Sequence, residues 1–506
     1  MVRNRLIATL VALILACGLL AGASSALAEG KHLNAAIYWF GTSLDPATEY
    51  DGWTTSRAGI TETLVTVNEN YELVPCLADS WEQTDELTWK LHIRDGVTFH
   101  NGKRVDGEAV KKSFERAMSI QERAITAAKL DSVEADGQYV IFHTSVLNAA
   151  FLATISEPLY SVIDVDADTD PKSCPIATGP FMVKGFEVDT FIEMERYDGY
   201  WNSPSQIDTV TLKCIADDST RALAIQSGEI DLMQCIGAND VATFKDNPNY
   251  TIFNTLGART RIMVLNFGNE FLADINVRRA LAASINYDAL VMILGDTVGV
   301  AGAPYPSSSP YGYDTLDVQK YDPEAAAQYL ADAGFADSDG DGYMDKDGNK
   351  LSLKINYANA NYTVMLEAVQ AMVKASRIDL QLNLVDSIME MTQGQVGFDI
   401  VVTNWQVLST GDPQWFLESQ YRTGAANNGG HYTNPELDAI ADKLAQTTDV
   451  SEREAVTIEA EKILLSDVAS IYLVGETNFV LSSNKVGNVT PYPIDYYFLD
   501  AGITIE

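Results

Sequence analysis

The 506-residue sequence predicts an α/β protein with mixed sheets. Amphipathic helical stretches alternate with short strand-like stretches along the chain, which is the pattern of a layered α/β fold. The length and a hydrophobic content of 46% allow two or three domains around a large buried core. No internal repeat or low-complexity linker interrupts the alternation. This absence favours two lobes between which the chain passes more than once, and it argues against separate domains that follow one another along the chain.

The first 28 residues are typical of a secretory signal peptide. Two arginines in "MVRNR" precede an apolar run over residues 6–22, and Ala26 and Ala28 form the small-x-small pattern that a signal peptidase reads. We predict cleavage after Ala28 and a mature protein in the periplasm or at the cell surface. Lipid attachment at Cys17 stays open as an alternative.

The first half of the mature chain contains well-marked elements. "TWKLHIRDG" alternates apolar and polar residues from Trp89 to Ile93, which predicts a strand with one buried face. In the next stretch Asp106 is placed to cap a helix whose apolar stripe contains Val110, Phe114 and Ala117.

Similar signals continue through the second half. "DDSTRALAIQSGEIDLMQCI" predicts a cap near Asp218, a short helix that ends at Gly228, and a strand. "ADINVRRALAASINYDALV" predicts one capped helix with Val277, Leu281 and Ile285 on a common face. Further helices are predicted near 322–333, 361–376, 435–447 and 452–466, and further strands near 351–357, 378–385, 398–404 and 470–475.

"DSDGDGYMDKDG", residues 337–348, has the aspartate spacing of a calcium loop. A regulatory calcium loop needs a glutamate at its twelfth position and a helix on both sides, whereas here the twelfth residue is Gly348 and a strand follows. We therefore predict a helix-to-hairpin connection with Asp347 and Gly348 in the turn. A weak structural calcium site stays open, with the ligands Asp337, Asp339, Asp341 and Asp345.

Four cysteines remain after the predicted cleavage: Cys76, Cys174, Cys214 and Cys235. An exported protein with an even number of cysteines is able to form disulfides. Cys214 and Cys235 are the favoured pair, because both lie in strand-like segments that flank one short helix. Buried free thiols are the alternative.

Charge and missing motifs narrow the function. The net charge of −36 repels nucleic acid and anionic lipid headgroups, so neither is expected as a partner. The chain has no phosphate-binding loop, no H-E-x-x-H and no G-x-S-x-G. These absences favour a binding protein without a cofactor over an enzyme. A secreted hydrolase that uses two cleft carboxylates is the alternative.

One long segment, "LADSWEQTDELTWKLHIRDGVTFHNGKRVDGEAVKKSFERAM", resembles the signature of family 5 solute-binding proteins, the extracytoplasmic peptide and nickel receptors of ABC importers. The resemblance extends from about His32 to the end of the chain. Further matching stretches are "ATGPFMV", "ERYDGYWN", "DSTRALAIQSGEIDL", "LNFGNEFLADINVRRALAASINYDAL", "GDPQWFL" and "HYTNPELDAIADKLAQT". The resemblance implies a two-lobed periplasmic-binding-protein-like fold of the large, three-subdomain type, with a hinge that the chain crosses twice.

The resemblance also implies boundaries and partners. The first lobe is expected at 29–265 plus 478–506, with an extra subdomain near 70–180, and the second lobe at 266–477. The protein is expected to act as a monomer that captures a small ligand between its lobes. It would deliver the ligand to a membrane permease driven by a separate ATPase subunit.

Peptide receptors of this family anchor the peptide amine on an aspartate just after a second-lobe tryptophan. No acid follows Trp405 until Asp412, which favours a nickel–chelate complex over a small peptide as the ligand. Arginines would then hold chelator carboxylates and aromatic rings would pack around the chelator. The candidate ligand-binding residues are Trp39, Trp53, Arg57, Arg259, Arg261, Trp405, Trp415, His431 and Tyr432, with His431 also a candidate metal ligand.

Overall fold

The structure, a computed structural model, describes residues 30–295 and 297–506. The predicted signal peptide, its cleavage site and Cys17 lie outside the described residues. Within these ranges no helix is both long enough and apolar enough to cross a membrane.

One large mixed sheet runs through the molecule. Its strands lie in the order β17-β16-β18-β12-β19-β11-β1-β10-β9-β8, and β13 pairs with β19. Their bounds are β1 His32–Ile37, β8 Phe181–Glu187, β9 Phe191–Arg196, β10 Thr209–Cys214, β11 Leu232–Gln234, β12 Tyr250–Leu265, β13 Val298–Val300, β16 Ser352–Tyr357, β17 Asp379–Leu384, β18 Ile400–Gln406 and β19 Ser470–Ser483.

The two long strands β12 and β19 join the two halves of this sheet. They pair antiparallel from Tyr250 to Val264 of β12, with a register shift between Leu256 and Thr260. Beyond the shift β12 pairs with β18 as well. We call the half that contains β1 and β8–β11 the first lobe and the half that contains β16–β18 the second lobe. The chain crosses between them along β12 and again along β19.

The first lobe carries an extra layer with its own hydrophobic core, which includes Trp89, Leu91 and Phe142. A four-stranded antiparallel sheet, β4-β5-β7-β6, forms this layer. The smaller strands of the lobe are β2 Val65–Val67, β3 Leu73–Pro75, β4 Ala78–Asp85, β5 Thr88–Ile93, β6 Leu130–Asp136, β7 Tyr139–Thr144, β20 Val486–Gly487 and β21 Thr504–Ile505. Its helices are α1 Asp51–Arg57, α2 Gly107–Ile120, α3 Glu122–Thr126, α4 Phe151–Thr154, α5 Asp218–Ser227 and α6 Ala238–Phe244.

The second lobe packs its helices against the strands around β16 and β18, with Leu281, Ile355 and Val369 among the fully buried side chains. Its hairpin strands are β14 Asp345–Lys346 and β15 Asn349–Lys350. Its helices are α7 Ile275–Ala283, α8 Tyr287–Ile293, α9 Pro323–Asp332, α10 Thr363–Ala375, α11 Met389–Thr392, α12 Gln414–Gln420, α13 Pro435–Gln446 and α14 Val450–Ser466.

Local sequence signals explain several helix ends. The Asp106 carboxylate accepts a hydrogen bond from the Ala109 amide, as the predicted cap requires. Gly228 ends α5 in the left-handed region at φ 76°. The cap of α5 is Asp217, which accepts from the Thr220 amide, and Asp218 is the first helical residue.

The prediction of a single helix in "ADINVRRALAASINYDALV" is wrong. The segment forms α7 and α8, and the chain leaves the helix after Ala283. The reason is a second cap, because the Asn286 side chain accepts from the Ala289 amide and starts α8. By contrast, the hairpin turn at Asp347 and Gly348 is confirmed, since both residues have positive φ between the paired strands β14 and β15.

The predicted Cys214–Cys235 disulfide is not formed, and the four described cysteines are free thiols. Strand β1 explains why, because it pairs with β10 on one side and with β11 on the other. Cys214 ends β10 and Cys235 follows β11, so a whole strand separates them. Two strand spacings exceed the Cα separation of about 7 Å that a disulfide spans.

Glu62 is an enclosed carboxyl group of the first lobe. It accepts hydrogen bonds from the Tyr200 hydroxyl at 2.8 Å and from the Trp201 indole at 3.1 Å. Burial raises the pKa of Glu62 from its ordinary 4.5 to about 7, against the effect of these donors. The folded state therefore holds a proton between these two pH values that the unfolded state has already lost.

We expect the contribution of Glu62 to the free energy of unfolding to fall by about 3 kcal/mol as the pH rises from about 4.5 to about 7. Above that pH this contribution should no longer change. Glu62→Gln keeps an acceptor for both aromatic donors and removes the titration. Urea denaturation of the variant at several pH values should show a smaller slope across this window and, at pH 8, stability at least equal to that of the wild type. Identical pH profiles for the two proteins would contradict the assignment.

Candidate ligand-binding cleft

A cavity of about 960 Å³ lies between the two lobes. Its first-lobe wall comes from α1, α3 and the chain around Asn148 and Glu157. Its second-lobe wall comes from the end of β18, from α12 and from the loop over residues 422–426. Arg259 of β12 and Tyr496 of the C-terminal segment lie between the two walls, next to the strands that join the lobes. The cavity is therefore built where a hinge motion changes its shape.

The first-lobe wall is aromatic. The Trp53 ring lies 5.0 Å from the rings of both Tyr50 and Tyr496, measured between centroids. Its indole nitrogen donates to Glu157 at 3.0 Å, and Arg123 pairs with the other oxygen of the same carboxylate at 3.0 Å. These contacts hold Trp53 in one orientation and neutralise Glu157.

The second-lobe wall is also aromatic. The rings of Trp405 and Trp415 meet edge to face with centroids 6.3 Å apart, and Trp415 is 43% exposed. The buried indole nitrogen of Trp405 has no hydrogen-bond partner among the described residues. Two aromatic walls suit a compact ligand that has flat or apolar faces.

Two arginines share one carboxylate beneath the cavity. The Asp495 carboxylate accepts from Arg57 at 3.1 Å and from two nitrogens of Arg259 at 3.4 Å each. It also accepts from the Gln406 amide at 2.9 Å. Although burial opposes ionisation, the charges of Arg259 and Arg57 hold the pKa of Asp495 below its ordinary value. The carboxylate is thus ionised at neutral pH.

This group of three leaves one positive charge in excess at the cleft, although the whole chain carries −36. Arg57 is fully buried below Trp53, and the Nη1 atom of its guanidinium has no partner within the described chain. Arg259 lines the cavity, so its guanidinium is the part of the excess charge that a ligand reaches. Anionic groups are therefore favoured here.

Asp412 lies in the cavity lining and is held in an ion pair. Its carboxylate forms a bidentate pair with Arg453, with distances of 2.7 Å and 3.0 Å. This pair ties the loop before α12 to α14 and occupies both carboxylate oxygens. An acid with both oxygens paired is a poor partner for a ligand amine.

The structure brings four of the predicted site residues together in the cavity wall: Trp53, Arg259, Trp405 and Trp415. Trp39 lies outside the lining, edge-on to Trp53 at 6.5 Å. Arg57 lies beneath the floor. Arg261 pairs with Glu476 at 3.0 Å and stacks on Tyr362, so its charge is already compensated.

The two remaining candidates lie away from the cavity. His431 is exposed, and its ring lies next to Gly394 in the second lobe. Tyr432 is buried and donates to Asp467 at 2.7 Å. An Asn/Gly run, residues 427–430, precedes His431 in the sequence. In the structure that run packs against the second lobe, where the Gly430 carbonyl accepts from the Phe267 amide.

The aspartate-rich hairpin groups carboxylate oxygens of Asp337, Asp339 and Asp345 within 4.8 Å of one another. The fourth predicted ligand, Asp341, instead pairs with Lys350 at 3.1 Å. Ser338 donates to Asp345 from its backbone amide at 2.7 Å. Calcium binding at this hairpin remains a prediction.

Several cavity residues were not predicted from the sequence: Tyr50, Arg123, Lys129, Glu157, Glu418 and Tyr496. Tyr50 has a signal in the sequence, because it precedes Trp53 by three residues and, as the N-cap of α1, lies next to that ring. The other residues lie in ordinary polar stretches of the sequence. They line the cavity only because the fold brings those stretches there.

Comparisons with known proteins agree with this geometry. The chain matches the family described as "Bacterial extracellular solute-binding proteins, family 5 Middle" over residues 72–428. It is 25% identical over 492 residues to nickel-binding protein NikA of Staphylococcus aureus, covering 96% of this chain and 97% of NikA. It is 29% identical over 427 residues to oligopeptide-binding protein AppA of Bacillus subtilis, covering 79% of this chain and 77% of AppA.

Solved structures show the same arrangement of lobes. The crystal structure of a nickel ABC transporter from Bacillus halodurans superimposes with a TM-score of 0.83 at 30% sequence identity. The match covers 94% of this chain and 100% of that chain. The likeness therefore includes both lobes and the strands between them.

Proposed function

Because the chain belongs to family 5 of the bacterial extracellular solute-binding proteins, we propose that it captures a preformed nickel complex of a small, carboxylate-bearing chelator. Family membership confirms the predicted two-lobed fold and the role of solute-binding component of an ABC importer. The chain is a receptor and not an enzyme. Its partners are the permease and ATPase components, and its ligand is cargo and not a cofactor.

The excess positive charge beneath the cavity is the observation that favours a carboxylate-bearing chelator as the ligand. One guanidinium of the Arg57–Asp495–Arg259 group lacks a carboxylate of its own, and Arg259 presents charge to the cavity. The described lining contains neither histidine nor cysteine, so the chelator would supply the metal ligands. A relative that is called nickel-binding supports nickel as the metal.

The hydrolase alternative lacks a pair of free carboxyl groups. Glu157 is paired with Arg123 and Asp412 with Arg453, which leaves Glu418 as the unpaired carboxyl of the described lining. General acid–base hydrolysis by two carboxyl groups needs two that are able to exchange protons with the substrate. Peptides remain the competing ligand class, since AppA is an oligopeptide-binding protein.

Calorimetric titration with nickel alone, histidine alone, nickel with histidine, and a tetrapeptide tests the proposal. We expect the preformed nickel–histidine complex to bind at least 100-fold more tightly than nickel alone, because the chelator carries the carboxylates that Arg259 recognises. His431→Ala should leave this affinity unchanged, since the ring lies outside the cavity lining. Tight binding of the tetrapeptide without any binding of the nickel complex would overturn the proposal.

We further infer that the lobes divide as the sequence predicts, at 29–265 plus 478–506 and 266–477. β12 pairs with the second-lobe strand β18 as far as Leu265, and β19 pairs with β13 up to Glu476 and with the first-lobe strand β11 from Val480, which supports these positions. We also infer that the mature protein acts as a monomer outside the cytoplasmic membrane. A single ligand enclosed between two lobes of one chain requires no second copy.

A further inference from the structure

The carboxylates around the cavity differ in whether a cationic side chain pairs with them. Asp412, Glu157 and Asp495 each pair with arginine at 3.1 Å or less. Glu418 has no cationic side chain within ion-pair distance among the described residues. Its Oε1 atom accepts from the Gln414 amide at 3.1 Å. The Oε2 atom accepts no hydrogen bond from the described residues, so it is available to a ligand.

Glu418 lies in the helical part of the second-lobe wall. It lies on α12 between Trp415 and the loop that starts at Arg422, and all three residues line the cavity. Gln414, one turn earlier on the same helix, is buried and orients the carboxylate. The side chain is thus positioned by its own helix and needs no loop movement to face the ligand.

The surroundings of Glu418 favour a cationic or N–H-bearing partner. Burial raises the pKa of this carboxyl group, and the charges of Lys129, a residue of the first-lobe wall, and of Arg422 oppose that effect. The guanidinium of Arg422 is itself paired with Asp442. Lys129 itself forms no ion pair in the described chain, and its side chain is exposed. A half-buried carboxylate without a close cation gains a charge-assisted hydrogen bond when a donor arrives.

We propose that Glu418 is a specificity-determining residue that accepts a hydrogen bond from an amine group of the captured ligand. This inference rests on the proposed function and deepens it. Arg259 takes a carboxylate and Glu418 takes an amine N–H, so the favoured chelators are those of the amino-acid type. The second lobe thereby supplies from α12 the acid that is missing directly after Trp405.

Binding of two different nickel complexes distinguishes a hydrogen bond from a ligand amine to Glu418 from a general effect of its charge. Histidine binds nickel through primary amine groups that keep their N–H bonds, whereas nitrilotriacetate binds through a tertiary amine that has none. We expect Glu418→Gln to weaken binding of nickel–histidine at least tenfold in calorimetric titration. Binding of nickel–nitrilotriacetate should stay equal or tighten, because the substitution removes a negative charge near an anionic complex.

Glu436→Gln is the matched control, since Glu436 is an exposed acid on α13 outside the cavity lining. It should bind both complexes as the wild type does, and thermal melts should show all three proteins folded. An equal loss for both complexes, or no loss for either, in Glu418→Gln overturns the inference alone. A wild-type protein that binds neither complex overturns the proposed function, and the inference with it.

Discussion

Replacing Asp495 with asparagine is expected to lower the free energy of unfolding by about 3–5 kcal/mol. The substitution keeps the size of the side chain but removes the single negative charge that Arg57 and Arg259 share. Arg57 is fully buried, so its guanidinium has no access to water as a substitute partner. Removal of one member of a buried ion pair leaves an uncompensated charge, which costs far more than the pair contributes.

Urea denaturation measures this effect, and Asp166→Asn is its matched control. Asp166 pairs with Lys112 on the surface at 2.6 Å, with both side chains well exposed. An exposed pair contributes at most about 1 kcal/mol, so the control should stay within that range of the wild type. If Asp495→Asn is also within about 1 kcal/mol of the wild type, the shared carboxylate is not a structural necessity.

A double variant tests the charge argument more directly. Arg259→Met combined with Asp495→Asn removes one of the two uncompensated cations and the repulsion between them. We expect the double variant to lose less stability than the sum of the two single variants, because the three groups form one network. Strict additivity would show that Asp495 and Arg259 contribute to stability independently and would contradict the network.

Local chemistry made much of the fold predictable from the sequence. Asp106 and Gly228 mark helix ends by capping rules that act within a few residues. Asp347 and Gly348 are residue types that favour a hairpin turn, and the structure has both at positive φ. The broken helix at Asn286 shows the limit of periodicity. The apolar residues keep a helical spacing across both helices, so the periodicity does not reveal the break. The break depends on Asn286, whose side chain caps the second helix.

The cleft was less predictable, because its residues are selected by tertiary position. Arg57, Arg259 and Arg261 look equivalent in the sequence, yet one is buried, one faces the cavity and one is neutralised by Glu476. What decides among them is the placement of Asp495, a residue more than 200 positions away from any of them. No pattern of spacing encodes such a contact.

Replacing Arg259 with methionine is expected to weaken binding of the nickel–histidine complex by about 100-fold, or about 2.7 kcal/mol. Methionine keeps an unbranched, flexible side chain beside Trp53 and removes the guanidinium that lines the cavity. Asp495 retains Arg57 as its partner at 3.1 Å, so the remaining pair is neutral and the excess charge is gone. The loss should therefore appear in affinity, with a much smaller change in the free energy of unfolding.

Arg261→Met is the matched control for this prediction, because Arg261 lies two residues further along the same strand. Its guanidinium pairs with Glu476 and stacks on the Tyr362 ring at 4.6 Å, and the residue is outside the cavity lining. We expect its affinity for the complex to stay within about threefold of the wild type. If both variants lose affinity equally, a diffuse positive potential along β12 attracts the ligand. If Arg259→Met alone loses it, the ligand carboxylate contacts the one guanidinium whose charge Asp495 leaves uncompensated.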